Sequence, residues 1–144
     1  MSDFVLPMPP SANRYWRHFR GMMVVSDEAR TYRGVASMRA FATGLRPMDC
    51  PVALTLVFYL IRSDADVSNR IKILEDALNG VAYADDKQVA MLIVVRREAA
   101  RVKKARKGEK QLKRQEYVLV RAEPARDAVL RSVEASFGGL KDDY

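Results

Sequence analysis

The sequence predicts a single α+β domain built on a small mixed β-sheet packed with helices. Two apolar runs rich in β-branched residues, Val52 to Ile61 and Val89 to Val95, read as buried strands. Between them, apolar residues at Val67, Ile71, Leu74, Leu78 and Val81 step by four, three, four and three, the period of an amphipathic helix. The chain has 144 residues, 49% of them apolar, which suits one hydrophobic core and not two. Its strands are too few and too interrupted for a doubly wound sheet. The expectation is one domain over 1–144, with a basic arm at about 97–115 and a short C-terminal helix at about 125–138.

Taken in order, Phe4 to Leu6 reads as a short strand stopped by Pro7, Pro9 and Pro10, with Gly21 to Val25 as its hairpin partner. Ser26 has the chemistry of an N-cap, and Asp27 and Glu28 place carboxylates where the helix dipole favours them. Tyr32, Val35, Met38 and Ala42 follow at helical spacing, and Gly44 ends the segment. In the central helix Asn69, Lys72 and Asp76 fall opposite the apolar stripe, and Gly80 is placed to stop it. Glu116 to Ala122 alternates as a third strand, Asp127 to Phe137 forms a terminal helix, and Gly138 to Tyr144 a frayed tail. The seven methionines read as ordinary packing.

Charge narrows the partners. The formal net charge is +7, which favours a polyanion through phosphate neutralisation and counterion release. The excess concentrates in Arg101 to Arg114, where eight residues are basic and Glu109 alone is acidic. This segment reads either as a solvated loop or as a flexible arm for phosphates, with Lys103, Lys104, Arg106 and Lys107 as contacts. The single cysteine, Cys50, rules out an internal disulfide framework and fits a reducing compartment. No leader segment is visible in Met1 to Leu6, and Val52 to Ile61 is half the length a bilayer-spanning helix needs, so no membrane partner is expected and the cytoplasm is.

Against this basic background stand two acidic clusters. Asp64 and Asp66 connect a strand to a helix N-terminus, and Asp85-Asp86 follows that helix just before the next strand. Were those strands neighbours, both clusters would come to adjacent ends of one sheet, where oxygen ligands suit Mg²⁺ or, as a substitute, Mn²⁺. The plainer readings are a helix cap at Asp64 or Asp66 and a turn at Asp85-Asp86.

Asp66-Val67-Ser68-Asn69-Arg70-Ile71-Lys72, Asp76-Ala77-Leu78-Asn79-Gly80 and Asp85-Asp86-Lys87-Gln88-Val89, in this order, resemble the signature of the RusA family of phage and prophage Holliday junction resolvases. Leu6 to Arg17 and Ser26 to Arg33 match as well, so the likeness covers roughly residues 4 to 121. The resemblance implies a metal-dependent endonuclease, dimeric about a two-fold axis, that nicks four-way DNA junctions and leaves a 5′-phosphate and a 3′-hydroxyl. It puts catalytic roles on Asp66, Lys72 and Asp86, and metal ligation on Asp66, Asp86 and Asp85. One position departs: the family's second aspartate falls on Ser68. Either Asp64, Asp76 or Asp85 supplies the missing charge, or Ser68 caps the helix and holds a metal-bound water with Asn69 nearby, or the protein is catalytically weak. Further upstream, Arg14, Arg17 and Arg20 interleave with Tyr15, Trp16, His18 and Phe19. Arg14 and Arg17 read as DNA contacts, and the aromatics either stack on bases or pack in the core.

Overall fold

The computed structural model describes residues 2–11 and 16–137. Its main sheet has four strands: β1 (Ser2–Pro7), β4 (Val52–Leu60), β5 (Val89–Glu98) and β6 (Tyr117–Pro124). They lie in the order β1-β6-β4-β5; β6 is antiparallel to both neighbours, and β4 runs parallel to β5. β2 (Trp16–Phe19) and β3 (Met22–Val25) form a separate antiparallel hairpin. Among the described residues there are three α-helices: α1 (Asp27–Ala42), α2 (Ser68–Ala77) and α3 (Ala125–Phe137). A small mixed sheet with helices is the expected α+β class.

Period-two alternation decides which face of the sheet is dry. Val52, Leu54, Leu56, Phe58 and Leu60 of β4 point to one side, joined by Val118 and Val120 of β6 and by Phe4 and Leu6 of β1. α1 and α2 close this side with Tyr32, Ala36, Ala40, Leu74, Ala77 and Leu78. The other side is thinner. Ala53 meets Ala125 and Ala128 of α3 there, and the rings of Tyr59 and Tyr117 stack at 4.5 Å.

Ser26 caps α1 as expected, its hydroxyl accepting from the Ala29 amide at 3.2 Å. The buried stripe of α1 is a different one, however: Ala29, Tyr32, Ala36 and Ala40. Val35 is half-buried and Met38 is 64% exposed. The alanines let the helix backbone lie close on the sheet, where the Tyr32 hydroxyl donates to the Pro7 carbonyl at 2.9 Å and Arg39 to that of Val5 at 2.7 Å. Residue size, used to choose the core face, pointed to the wrong stripe. Met22 and Met23 are exposed as well, so the methionines do not all serve packing.

Two strand expectations need correction. β3 does not pair with β1, whose partner is β6; it folds back on β2 through the two-residue loop Arg20-Gly21. β5 is an edge strand and not a buried one, with Leu92 and Ile93 more than two-fifths exposed, because only β4 pairs with it. The expected terminal helix is α3; the tail from Gly138 to Tyr144 lies outside the described residues.

The close approach of α1 makes a checkable contrast. Ala36→Leu should destabilise the fold by about 1–3 kcal/mol through overpacking, and Met38→Ala by less than about 0.5 kcal/mol. Urea unfolding of both variants measures this, and the reverse order would return Met38 to the core.

Candidate active site

Parallel strands need a crossover, and α2 is the crossover between β4 and β5. The register, Val52 with Val89 and Leu60 with Glu98, puts the start of β5 beside the start of β4. Asp85-Asp86 therefore precedes β5 at one end of the sheet, while the segment carrying Asp64 and Asp66 leaves β4 at the other. The expectation that both acidic clusters meet at adjacent strand ends is overturned by this direction. α2 is what links them.

Lys72 stands at the centre of that link. Its ammonium donates to Asp86 Oδ2 at 2.6 Å and lies 3.5 Å from Asp76 Oδ1, one helical turn on. The lysine side chain is two-thirds exposed, whereas Asp86 and Asp76 are mostly covered, so the pair faces solvent from the lysine side. The hydrogen bond from Lys72 holds the Asp86 carboxyl below the usual aspartate range, and the same bond raises Lys72 above the usual lysine value. Glu75, which the sequence reading did not single out, joins the group. Burial raises its carboxyl, Lys72 opposes that, and the charges of Asp86 and Asp76 push it further up. Its position, three residues after Lys72 and beside Asp76, was the available signal.

The Asp-Asp-x-Gln stretch has a mechanical reading. Asp86 to Gln88 form a single 3₁₀ turn capped by Asp85, whose carboxylate accepts from the Lys87 amide at 2.8 Å. The Gln88 side chain accepts from the amides of Ala84 and Asp85 at 2.9 and 3.0 Å, and donates to the carbonyls of Met48 and Cys50 at 2.7 and 3.1 Å. One amide thus fastens the Asp85-Asp86 turn to the segment leading into β4. Tyr83, fully buried beneath the turn, donates to the Glu75 carbonyl at 2.7 Å. Burial, and after it the charges of Glu75, Asp86 and Asp76, push its phenol above the usual tyrosine value.

At the far end of α2 the carboxylates have other partners. Asp66 accepts from the Asn69 amide at 3.3 Å and from its side chain at 2.6 Å, in the manner of a cap. Asp64 accepts from Arg62 Nη2 and Nε, at 2.9 and 3.1 Å, on an exposed surface. Ser68 is the first residue of the helix and exposed; Val67 occupies the cap position, so the serine does not cap. Arg96 of β5, also missed, donates to the carbonyls of Ser63 and Ala65 at 2.8 and 2.7 Å and so fixes the Asp64–Asp66 segment against the sheet. Arg70 donates to the Pro9 carbonyl and ties the proline-rich segment to α2. The carboxylate oxygens of this region are the donor type a hard divalent cation takes, and the Lys72 ammonium already marks a point where two of them converge on positive charge. Among the described residues, however, no three Asp, Glu, His or Cys side chains stand close enough to share one ion.

The basic segment runs from Ala99 to Glu116 without regular structure. It is braced across its middle, because the Gln111 side chain accepts from the Ala105 amide at 2.7 Å and donates to the Lys103 carbonyl at 3.2 Å. Gly108 takes φ +89° at the tip. Arg114 anchors the root on the Ala99 carbonyl at 2.7 Å and on Glu98 at 3.0 Å. Lys103, Lys104, Arg106 and Lys107 form no ion pair among the described residues. Arg17 lies exposed on β2, and Arg14 falls outside the described residues. No helix among the described residues is long and apolar enough to cross a membrane.

Comparison with known proteins bears out the family resemblance. The family model described as "Endodeoxyribonuclease RusA" matches residues 7–108. The proteins named "Crossover junction endodeoxyribonuclease RusA" from Escherichia coli strain K12 and from strain CFT073 are each 37% identical over 97 residues, covering 65% of this chain and 81% of the relative. With that much of the chain matched, and with the matched stretch containing α2, Lys72 and the Asp85-Asp86 turn, this chain belongs to the RusA family of endodeoxyribonucleases.

Proposed function

We propose that this protein is a metal-dependent, structure-selective endodeoxyribonuclease that resolves four-way DNA junctions by paired symmetric nicks in recombination and repair. The observation that carries the reading is the Lys72–Asp86–Asp76 group, a tight acidic cluster beside an exposed lysine in a protein of net charge +7. A clamp that only held DNA would gain nothing from fixed carboxylates near the phosphate. By the family resemblance, Asp86, with Asp85 before it, and Asp66 would hold Mg²⁺, or Mn²⁺ in its place; Asp66 stands at the other end of α2 and would join such an ion only by leaving Asn69. Such an ion, when bound, polarises the phosphate and activates a water. Lys72 offsets charge on the phosphate oxygens, and Gln88 keeps Asp86 in position. Lys103, Lys104, Arg106, Lys107, Arg17 and Arg14 supply phosphate contacts. Two symmetric nicks need two active sites, hence a two-fold homodimer. A phage- or prophage-encoded protein acting in the bacterial cytoplasm fits this role.

A second reading, a catalytically weak junction-binding protein, is favoured by Ser68, which stands exposed where the family carries an aspartate. Nicking of a synthetic four-way junction in Mg²⁺, absent with EDTA and absent on linear duplex, supports the first reading. Junction binding without nicking selects the second.

Asp86→Asn should abolish nicking and leave junction affinity within a few-fold, since the lost charge weakens the metal site and also reduces repulsion of phosphate. A variant that cleaves at the wild-type rate would remove Asp86 from the site.

Neutralising Lys103, Lys104, Arg106 and Lys107 together should weaken binding to all DNA shapes alike and flatten the dependence of log affinity on log salt. An unchanged slope assigns the braced loop to solvent.

Ser68→Asp adds a carboxylate at the first turn of α2, where the free N–H groups and helix dipole favour an anion and Lys72 lies four residues on. Nicking should then need less Mg²⁺. A shift to higher Mg²⁺ demand means that the site is already complete and the new group crowds it.

A further inference from the structure

The β2–β3 hairpin stands outside the acidic group and has a composition of its own. Residues 16–25 hold Arg17, His18 and Arg20 and no carboxylate. Only the base is packed: Val25 rests against Ala29 and Ile73, and Ser26 then starts α1. Beyond the base, Phe19 is 51% exposed, Met22 65% and Met23 55%. The register puts Arg17, Phe19, Met22 and Val24 on one face of the ribbon. On that face the Arg17 and Arg20 guanidinium groups stand 5.9 and 5.3 Å from the centre of the Phe19 ring.

The turn adds an independent observation. Arg20 has φ +50° and Gly21 φ +75°, a pair of left-handed residues that fits a type I′ hairpin loop. Asparagine or glycine takes the first position without penalty, whereas arginine is strained there. Strain of this kind persists where the side chain is used. An exposed ring flanked by two guanidinium groups at the end of a projecting ribbon matches an unstacked base with phosphates on either side.

Building on the junction-resolving reading above, we infer that the hairpin tip is a branch-point contact: Phe19 and Met22 stack on a base exposed at the crossover, and Arg17 and Arg20 hold the flanking phosphates. The acidic cluster cleaves; the hairpin senses where strands part. A linear duplex offers no unstacked base, so the stack on Phe19 and Met22 adds to junction affinity alone.

The test uses the full chain, EDTA to prevent nicking, a four-way junction carrying 2-aminopurine at the crossover, and a linear duplex of the same sequence. Phe19→Ala should weaken junction binding by about ten-fold, within what one base–aromatic stack supplies. It should also abolish the change in 2-aminopurine fluorescence and leave duplex binding nearly unaltered, and Phe19→Trp should restore both junction signals. Arg20→Asn should keep or raise the unfolding temperature, because asparagine suits the turn, while junction affinity still falls. That variant separates the contact from any folding defect. Wild-type junction affinity and fluorescence in both Phe19→Ala and Arg20→Asn overturn the inference, as does an equal loss on junction and duplex. A wild-type protein that does not prefer junction to duplex overturns the resolving reading together with it.

Discussion

Two strands that run side by side in the same direction cannot be joined by a tight turn. Because β4 and β5 are parallel, the chain must travel back along the sheet between them, and α2 is the segment that does so. The helix buries Leu74, Ala77 and Leu78 against the core face and leaves Lys72 on the opposite side. Asp86 is delivered to Lys72 only because β5 starts where β4 starts. An antiparallel β5 would have carried the same aspartate to the other end of the sheet. Strand direction, a property of the backbone, thus decides which charges meet.

The meeting is then held by polar groups whose own chemistry is modest. Gln88 contributes four hydrogen bonds that pin the Asp85-Asp86 turn to the approach of β4, and Tyr83 fills the space beneath. Arg96 performs the comparable service for the Asp64–Asp66 segment. Carboxylates carried on turns drift unless the surrounding framework fixes them. Here each acidic stretch is fastened by one long side chain reaching to backbone carbonyls.

The sequence made much of this visible. The strong periodicity of Val67 to Val81 located α2, and Ser26 located the start of α1, because caps and apolar stripes are local signals. Non-local choices were hidden. Nothing in Gly21 to Val25 says whether it pairs with β1 or with Trp16 to Phe19, since strand pairing depends on the rest of the sheet. The small alanines of α1 gave no hint that they, and not Met38, face the core. Lys72 and Asp86 were found through motif order, whereas their 2.6 Å contact depends on the parallel pairing; Asp66 and Asp64 take the nearby partners Asn69 and Arg62 instead. Glu75 was not singled out, because its partial burial depends on the fold around it.

β6 lies between β1 and β4, and its residues come from beyond the 7–108 stretch that the family model matches. A boundary drawn where similarity fades would cut away an inner strand and leave β1 without the strand it pairs with. The same arrangement orders events during synthesis. β1 precedes the other strands of the sheet, yet its partner is not complete until residue 124 has been added, so the sheet closes between strands far apart in sequence. Such long-range closure is slow and leaves apolar strand residues uncovered while it waits. Until residues 117–124 have been made and paired, Phe4 and Leu6 lack the strand that β1 lies against.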